Sequence, residues 1–380
     1  MMNGAHFGRS YRLHSPDQRA FNRPLWSAGL TPRAPRTPRE RAEGDGAAQR
    51  GQPTWGIVHP FTYARPTSLD AALAHLARKG AAPVGGGTDL LVTMHEDIVR
   101  PDELVDVLHL PGAREILVRA DGSARIGGAV RIAELAAHDV LRARFPVLAQ
   151  AARSVGTPAL RNMGTLAGNL CQRTRCWYFR RGILCFKSGG TECPARSGEG
   201  QYHAIFDGGP CRAVHPSDPA VALAALEATV HIVGNGSARR VLTIAALFHS
   251  SAKNPSSETT LASDELIEAV ELPAGSAGGT QRYRKLMQRG AWDFALVSLA
   301  SLKRINGDVR LVLGGVALAP WRVNPSVEED VASGQLDSES IDALADRALY
   351  DAEPLAGNRY KVIQARALLL EAIDELANRT

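Results

Sequence analysis

Five cysteines, Cys171, Cys176, Cys185, Cys193 and Cys211, are the only thiols in 380 residues, and all lie within one short stretch of the chain. The last four are spaced C-x8-C-x7-C-x17-C, among arginines and aromatics, in CQRTRCWYFRRGILCFKSGGTEC and the CRAVHPSD that follows. Thiols can form disulfides, bind zinc or hold an iron–sulfur cluster. Disulfides call for an oxidising compartment and an even count, and the chain shows neither an export signal nor an even number. Structural zinc favours C-x2-C knuckles, which are absent. A cluster needs four thiolates on a pliable loop with hydrogen-bond donors nearby. Gly182, Gly189, Gly190, Gly198 and Gly200 supply the bends, and Arg173, Arg175, Arg180, Arg181 and Lys187 the donors. The spacing is not that of common ferredoxins, so cluster, zinc and free thiols all stand as readings of these residues.

Two glycine stretches add a second kind of chemistry. Gly85-Gly86-Gly87-Thr88-Asp89 follows the short apolar stub Ala82-Pro83-Val84. Consecutive glycines let the backbone approach a ligand, and their N–H groups can form an anion nest. Neither a Walker loop nor GxGxxG is present, so a Rossmann fold is not expected. Gly164, Thr165, Gly168 and Asn169 repeat the theme in GTPALRNMGTLAGNL. By itself each stretch is equally a tight turn, or a helix end capped by Gly164 that leads into a strand. Together they could grip one extended phosphate-bearing ligand. Asp218 before Pro219 reads as a helix cap or as an acidic acceptor beside a ligand ring, and His215 as a packing residue or a donor.

The elements that position these residues are legible in outline. Ser68 and Asp70 open an amphipathic helix through Ala71, Leu73, Ala74 and Leu76, ended by Gly80. LVDVLHL (104–110), ILVRA, ARIGGAV and TVHIVG read as strands, and RIAELAAHDVLRARFPVLAQAARSVG as helical. After a Gly/Ser stretch at 274–279, FALVSLASLKR and DVRLVLGGVAL read as two antiparallel strands, or as a helix and a strand. The terminal segment places Val362, Ile363, Ala367, Leu370, Ile373 and Leu376 at helical spacing. The predicted organisation is a tail over 1–54, an α/β region over 55–275 and an α+β unit over 280–380.

Charge excludes one partner class. Residues 1–55 carry nine arginines against four acids, which is the whole of the chain's formal +5. The remainder is balanced, so a broad nucleic-acid face is not expected. The tail is rich in Arg, Pro, Gly and Ala without apolar period and is expected to be disordered. No apolar run nears the roughly 20 residues of a membrane span, and no secretory core is present at the start.

GGGTDLL, RNMGTLAGNL, HPSDPAVALAAL and YRKLMQRGAWDFALVSLAS, in this order, resemble the FAD-binding (medium) subunit of the xanthine dehydrogenase/aldehyde oxidoreductase family of molybdenum hydroxylases. The resemblance covers about 57–380. QRTRCWYFRRG…C…C…YHAIF…CRAVHPSD resembles a narrower subgroup, the periplasmic aldehyde oxidoreductases, whose flavin subunit carries a 4Fe–4S insertion. A comparable insertion marks 4-hydroxybenzoyl-CoA reductase. The resemblance implies an α+β fold: a two-subdomain PCMH-type (vanillyl-alcohol-oxidase-like) FAD-binding domain, then a smaller CO-dehydrogenase-flavoprotein-like C-terminal domain.

It further implies that Pro83, Val84, Gly85, Gly86, Gly87, Thr88, Asp89 and Leu90 surround the FAD pyrophosphate, with Thr165, Leu166, Ala167, Gly168 and Asn169 opposite. Asp218, Ile267 and Lys285 would lie by the isoalloxazine, with Lys285 favouring the reduced, anionic ring. Cys176, Cys185, Cys193 and Cys211 would hold the 4Fe–4S cluster in an insertion at about 171–212. Cys171, where the subgroup has an aliphatic residue, would be a spare buried thiol. No residue of this chain is implied as a catalytic acid or base. The implied partners are a large molybdopterin subunit and a small 2Fe–2S subunit, as a heterotrimer or a dimer of heterotrimers. The implied location is cytoplasmic, or periplasmic by co-export with a partner carrying a twin-arginine signal. A stand-alone flavin oxidase and a zinc-stapled assembly module are the competing functions.

Overall fold

Three sheets divide the work of positioning the loops. A computed structural model describes residues 58–206, 209–248 and 254–378, and the predicted tail lies outside them. The first sheet is parallel and small. It is built from β1 (Thr62–Ala64), α1 (Leu69–Leu76), β2 (Ala81–Val84), α2 (Leu90–His95) and β3 (Glu103–Asp106), in strand order β1-β3-β2. Ser68 caps α1, its hydroxyl accepting from the Ala71 amide at 3.2 Å. The strand predicted through residue 110 stops at Asp106. That buried carboxylate accepts from the Leu108 amide at 2.8 Å and from the Tyr63 hydroxyl at 2.8 Å, which turns the chain.

β4 (Ile116–Val118) and β5 (Ala124–Gly127) begin the second sheet. The predicted helical stretch is three helices: α3 (Ile132–Ala137), α4 (Asp139–Arg144) and α5 (Pro146–Arg153). His138 caps the second, and Pro146 opens the third. α6 (Pro158–Met163) follows, and in place of the strand predicted after Gly164 comes α7 (Leu166–Leu170). Thr165 explains it, because its hydroxyl accepts from the Gly168 amide at 3.1 Å and caps a helix. Next come α8 (Trp177–Arg180), α9 (Asp218–Ala225), β6 (Thr229–Val233), β7 (Arg239–Thr243), α10 (Ile244–Phe248) and β8 (Leu266–Leu272). This sheet is antiparallel, in order β4-β5-β8-β6-β7. The cap of α9 is Ser217, not Asp218, since its hydroxyl accepts from Ala220 at 3.1 Å. Asp218 sits one residue inside, and its carboxylate is left for other partners.

The third sheet, β9 (Thr280–Leu286), β10 (Val297–Lys303), β11 (Val309–Gly314) and β12 (Trp321–Arg322), is antiparallel in order β12-β11-β10-β9. FALVSLASLKR therefore forms a strand. Its Ala300 and Leu302 join the core made with α5 and α9, while Val297 and Leu299 join a second core. Burial on both faces is why the run lacks polar alternation. The second core is closed by α11 (Pro325–Ser333), α12 (Ser338–Ala348) and α13 (Tyr360–Asn378). The buried stripe of α13 is Lys361, Ala365, Leu368, Leu369, Ala372, Ile373 and Leu376, so the predicted face is rotated. Ile363 is 71% exposed. Lys361 causes the error. Its ammonium is buried and donates to the carbonyls of Gly315 at 2.8 Å and Tyr202 at 3.1 Å.

The cysteine segment leaves toward this third sheet through Phe206, whose ring stacks on Trp321 at 4.4 Å. Phe206 is 1% exposed, and its amide donates to the Val316 carbonyl at 3.1 Å. Phe206→Ala is expected to lower unfolding free energy by about 3–5 kcal/mol, the usual consequence of truncating a fully buried aromatic, as read from urea titration.

Candidate functional site

The two glycine stretches touch. At the end of β2 the chain passes Gly85 and Gly86 directly over the turn between α6 and α7. A Cβ on Gly86 would lie 1.8 Å from the Met163 carbonyl oxygen, and one on Gly85 would lie 2.9 Å from the Thr165 hydroxyl. Gly87 has φ +69°, which completes the reversal. Among the described residues, the N–H groups of Gly86, Gly87 and Thr88 have no protein acceptor. The opposite loop differs from expectation. The amides of Leu166 and Ala167 donate to Val130 and Gly128 at 2.8 and 2.9 Å, and those of Gly168 and Asn169 to Thr165. The first loop thus presents donors, and the second supplies a close, rigid wall.

A cleft of about 360 Å³ opens between these loops and β8, within the usual size range for small-molecule sites. Pro83, Gly85, Thr165, Ala167, Gly168 and Ile267 line it. Val84 and Leu166 are core residues instead, and Leu90 packs beside Val84. The pair Gly127-Gly128 also belongs to the cleft, a third glycine element that the sequence reading passed over. A Cβ on Gly128 would lie 2.2 Å from the Ile267 carbonyl oxygen. Two adjacent glycines at a strand end were the available signal. Asn169 faces the fold, accepting from the Ser217 hydroxyl at 2.5 Å.

A second cavity, about 300 Å³, is bounded by Asp218, His203, His215, Trp177, Phe294 and Arg289 among others. Lys285 stands behind Asp218. The pair is buried, with Nζ 2.8 Å from the carboxylate and also donating to the Ser154 carbonyl at 3.1 Å. The Tyr283 hydroxyl donates to the other carboxylate oxygen at 2.6 Å. Burial pushes the Asp218 carboxyl up while Lys285 opposes it, and burial beside Asp218 drives the Tyr283 phenol well above its usual range. The structure therefore joins Asp218 to Lys285 but sets Ile267 in the other cleft.

Cys176, Cys185, Cys193 and Cys211 line one small cavity together with Phe179, Phe186, Ala213 and Lys187. Cys171 is apart. It packs against the main core and lines the glycine cleft, and burial pushes its thiol up to about 12. Burial likewise raises Cys176, and Cys211 to about 11. Donors point at the sulfurs. The amides of Phe179 and Tyr178 reach Cys176, as does His203 Nε2 at 3.2 Å. The Ala213 amide reaches Cys211, and the Ser188 hydroxyl reaches Cys185 at 3.6 Å. Among the described residues no three His, Cys, Asp or Glu side chains converge on a single metal ion. The four thiols surround a shared space instead.

Four of the five cations read from sequence as donors to these sulfurs, Arg173, Arg175, Arg180 and Lys187, have other partners. Asp89, the last polar residue of the glycine loop, accepts from Arg175 at 2.8 Å, Arg180 at 2.9 Å and the Arg173 amide at 2.7 Å. Arg180 also pairs with Glu96 at 2.9 Å, and Glu258 pairs with Arg173 at 2.6 Å and Lys187 at 3.0 Å. Positive charge here fastens the segment to its neighbours. His215 is a packing residue. Its Nδ1 accepts from the Ser217 amide, its Nε2 donates to the Leu170 carbonyl at 3.2 Å, and its ring lies 4.3 Å from that of Phe248.

Comparison with known proteins gives the same region a family. The family described as the FAD binding domain in molybdopterin dehydrogenase matches residues 59–275. The aldehyde oxidoreductase FAD-binding subunit PaoB of Escherichia coli (strain K12) is 40% identical over 319 residues, 83% of this chain and 98% of that protein. The glyceraldehyde dehydrogenase medium chain of Sulfolobus acidocaldarius is 26% identical over 326 residues, again 83% of this chain and 98% of that protein. Among solved structures, a carbon monoxide dehydrogenase of Hydrogenophaga pseudoflava lacking the Mo-pyranopterin moiety matches with a TM-score of 0.64. It is 24% identical and covers 84% of this chain and 97% of that one, a likeness of fold.

Burial lowers the His215 pKa to about 4 from 6.5. The unfolded chain therefore binds the extra proton first as pH falls. Stability present above pH 6.5 is lost on the way to pH 4, by about 3 kcal/mol in full. His215→Leu should flatten that dependence, checked by urea titrations near pH 7 and pH 4.5.

Proposed function

Because this chain belongs to the family of FAD-binding medium subunits of molybdenum hydroxylases, we propose that it is the flavin-carrying electron-transfer subunit of an aldehyde-oxidising complex, and that it also holds a 4Fe–4S cluster on Cys176, Cys185, Cys193 and Cys211. The observation that carries this reading is the place of Cys176, which lines both the cavity of four thiols and the cavity bounded by Asp218. The aldehyde assignment follows PaoB, whose name states that role for that protein. The partners proposed are a large molybdopterin subunit and a small 2Fe–2S subunit. The PCMH-type arrangement is proposed for 55–275, with the parallel sheet and the five-stranded sheet as its two subdomains, and the CO-dehydrogenase-flavoprotein-like domain for 280–380.

The residues fit both groups. The open amides of Gly86, Gly87 and Thr88 would form an anion nest suited to a diphosphate, and the absent side chains at Gly85, Gly86 and Gly128 let the backbone segments around the cleft pack against one another. Pro83, Gly85, Thr165, Ala167, Gly168 and Ile267 would wall the FAD, with Asp218 and Lys285 toward its flavin end. The neutral Asp218–Lys285 pair keeps a rigid polar floor without adding net charge. The four cysteines offer soft sulfur donors in an aromatic-lined space, met by amide and hydroxyl donors. When bound, FAD can take up two electrons and the cluster one, so the pair can pass electrons between two- and one-electron partners.

Two measurements test the reading. The complex purified anaerobically with its partner chains should be yellow-brown, with FAD and about four iron and four sulfide per copy of this chain beyond those of the small 2Fe–2S subunit. Zinc in place of the extra iron would overturn the cluster reading, as would flavin with no iron beyond that of the small subunit, and a complex without FAD would overturn the flavin reading. Separately, Gly86→Ala drives a methyl group into the Met163 carbonyl and parts the two loops. FAD retention after gel filtration should fall roughly tenfold or more, about 1.4 kcal/mol, while far-ultraviolet circular dichroism is unchanged.

A further inference from the structure

Cys176 receives a donor that none of the other three cysteines has, an imidazole. His203 Nε2 lies 3.2 Å from Cys176 Sγ, and the residue is 3% exposed. Its other ring nitrogen, Nδ1, is buried and makes no well-aligned hydrogen bond among the described residues, the Gly200 carbonyl being the one acceptor near the ring. A buried N–H without a well-aligned acceptor costs more than a lone pair so placed, so the structure favours the hydrogen on Nε2, where the sulfur can accept it.

The ring is held in place from several sides. It meets Trp177 edge-on at 5.8 Å and Tyr178 at 6.0 Å. The His203 amide donates to the Gly200 carbonyl at 3.0 Å, and its carbonyl accepts from Asn358 Nδ2 at 2.9 Å. Asn358 leads into α13, where Lys361 fixes the neighbouring Tyr202 carbonyl. The scaffold of the third sheet thus reaches across to aim one imidazole at one thiol. His203 and Cys176 also both line the cavity that Asp218 bounds.

We propose that His203 is a positioning residue whose Nε2–H···Sγ bond to Cys176 raises the reduction potential of the cluster on the edge that faces the Asp218 cavity. The inference rests on the cluster reading above. A donor to a ligating sulfur favours the more negative, reduced form over the oxidised one, and hydrogen bonds to sulfur are among the levers that set such potentials. The couple is one electron, delivered by the partner chains of the complex. The hydrogen stays on Nε2 in both states, and no bond is made or broken.

The test uses the intact complex, with redox titration of the cluster followed by electron paramagnetic resonance at one fixed pH. His203→Phe keeps a ring and removes the donor, and His203→Gln keeps an N–H. The Phe variant should shift the one-electron equilibrium about tenfold toward the oxidised form, equivalent to a potential about 59 mV more negative, and Gln should recover part of the shift. Iron and sulfide are assayed on each. A full complement of iron with an unchanged midpoint in the Phe variant would overturn the proposal and leave the cluster standing. A wild-type complex with no iron beyond that of the 2Fe–2S subunit would remove both. Wild-type protein grown with ¹⁵N-histidine gives a second readout that needs no variant. Pulsed resonance of the reduced cluster should show histidine nitrogen coupling, and its absence would overturn the proposal even if both variants failed to fold.

Discussion

The carboxylate of Asp89 joins the two halves of the site. One oxygen meets Arg175 and Arg180, and the other accepts from the Arg173 amide. The segment it holds has little regular structure between Cys171 and Cys211 beyond α8 and single helical turns. Such a segment has few backbone ladders to hold it, so side-chain contacts must offset its ordering entropy. Ion pairs on exposed surfaces contribute little, but Asp89 and Arg180 are largely removed from water, where a charge left without its partner is costly. The glycine loop and the cysteine segment are therefore fixed as one unit, with Glu258 holding the far side through Arg173 and Lys187.

The surrounding architecture serves the same end. α5 and α9 lie between the five-stranded and four-stranded sheets, and residues of both sheets share one core there. Asp218 opens α9, while Lys285 and Tyr283 come from β9. The buried pair is thus a junction between the two sheets, which fixes the floor of the second cavity relative to the glycine loops. On the opposite side, Phe206, Asn358 and Lys361 tie the end of the cysteine segment to the third sheet and its helices.

The sequence showed the chemistry better than the geometry. Consecutive glycines and grouped thiols declare themselves, because few other roles demand those residues in such density. Most strands and helices were legible too. The errors have physical causes. Charged residues carry no sequence mark of their partners, so the arginines near the thiols read as donors to sulfur when carboxylates more than 70 positions away claim them. Lys361 violates the rule that lysine is solvated, and the apolar face of α13 was misplaced accordingly. Asp218 looked like a cap because Asp-Pro commonly is one, yet Ser217 took that role and released the carboxylate for Lys285. Ile267 lines the glycine cleft and Lys285 stands behind Asp218, because β8 and β9 belong to different sheets.

The electrostatics of the thiol cavity bear on what can fill it. Burial, and more weakly the neighbouring thiols, raise Cys176 and Cys211, so as free groups these two remain thiols, neutral and poorly nucleophilic. Metal ligation requires thiolates, and four negative charges beside aromatic rings would be prohibitive unless most of the charge were cancelled from within. Lys187 is the one cation among the residues lining this cavity, and it is already shared with Glu258. Amides and hydroxyls can soften the remaining charge but cannot cancel it. The polynuclear iron–sulfur core proposed above would bring several positive charges to the centre of the thiolates. The donor arrangement would suit that proposal, because weak neutral donors at the rim match a core whose net charge is small and changes by one.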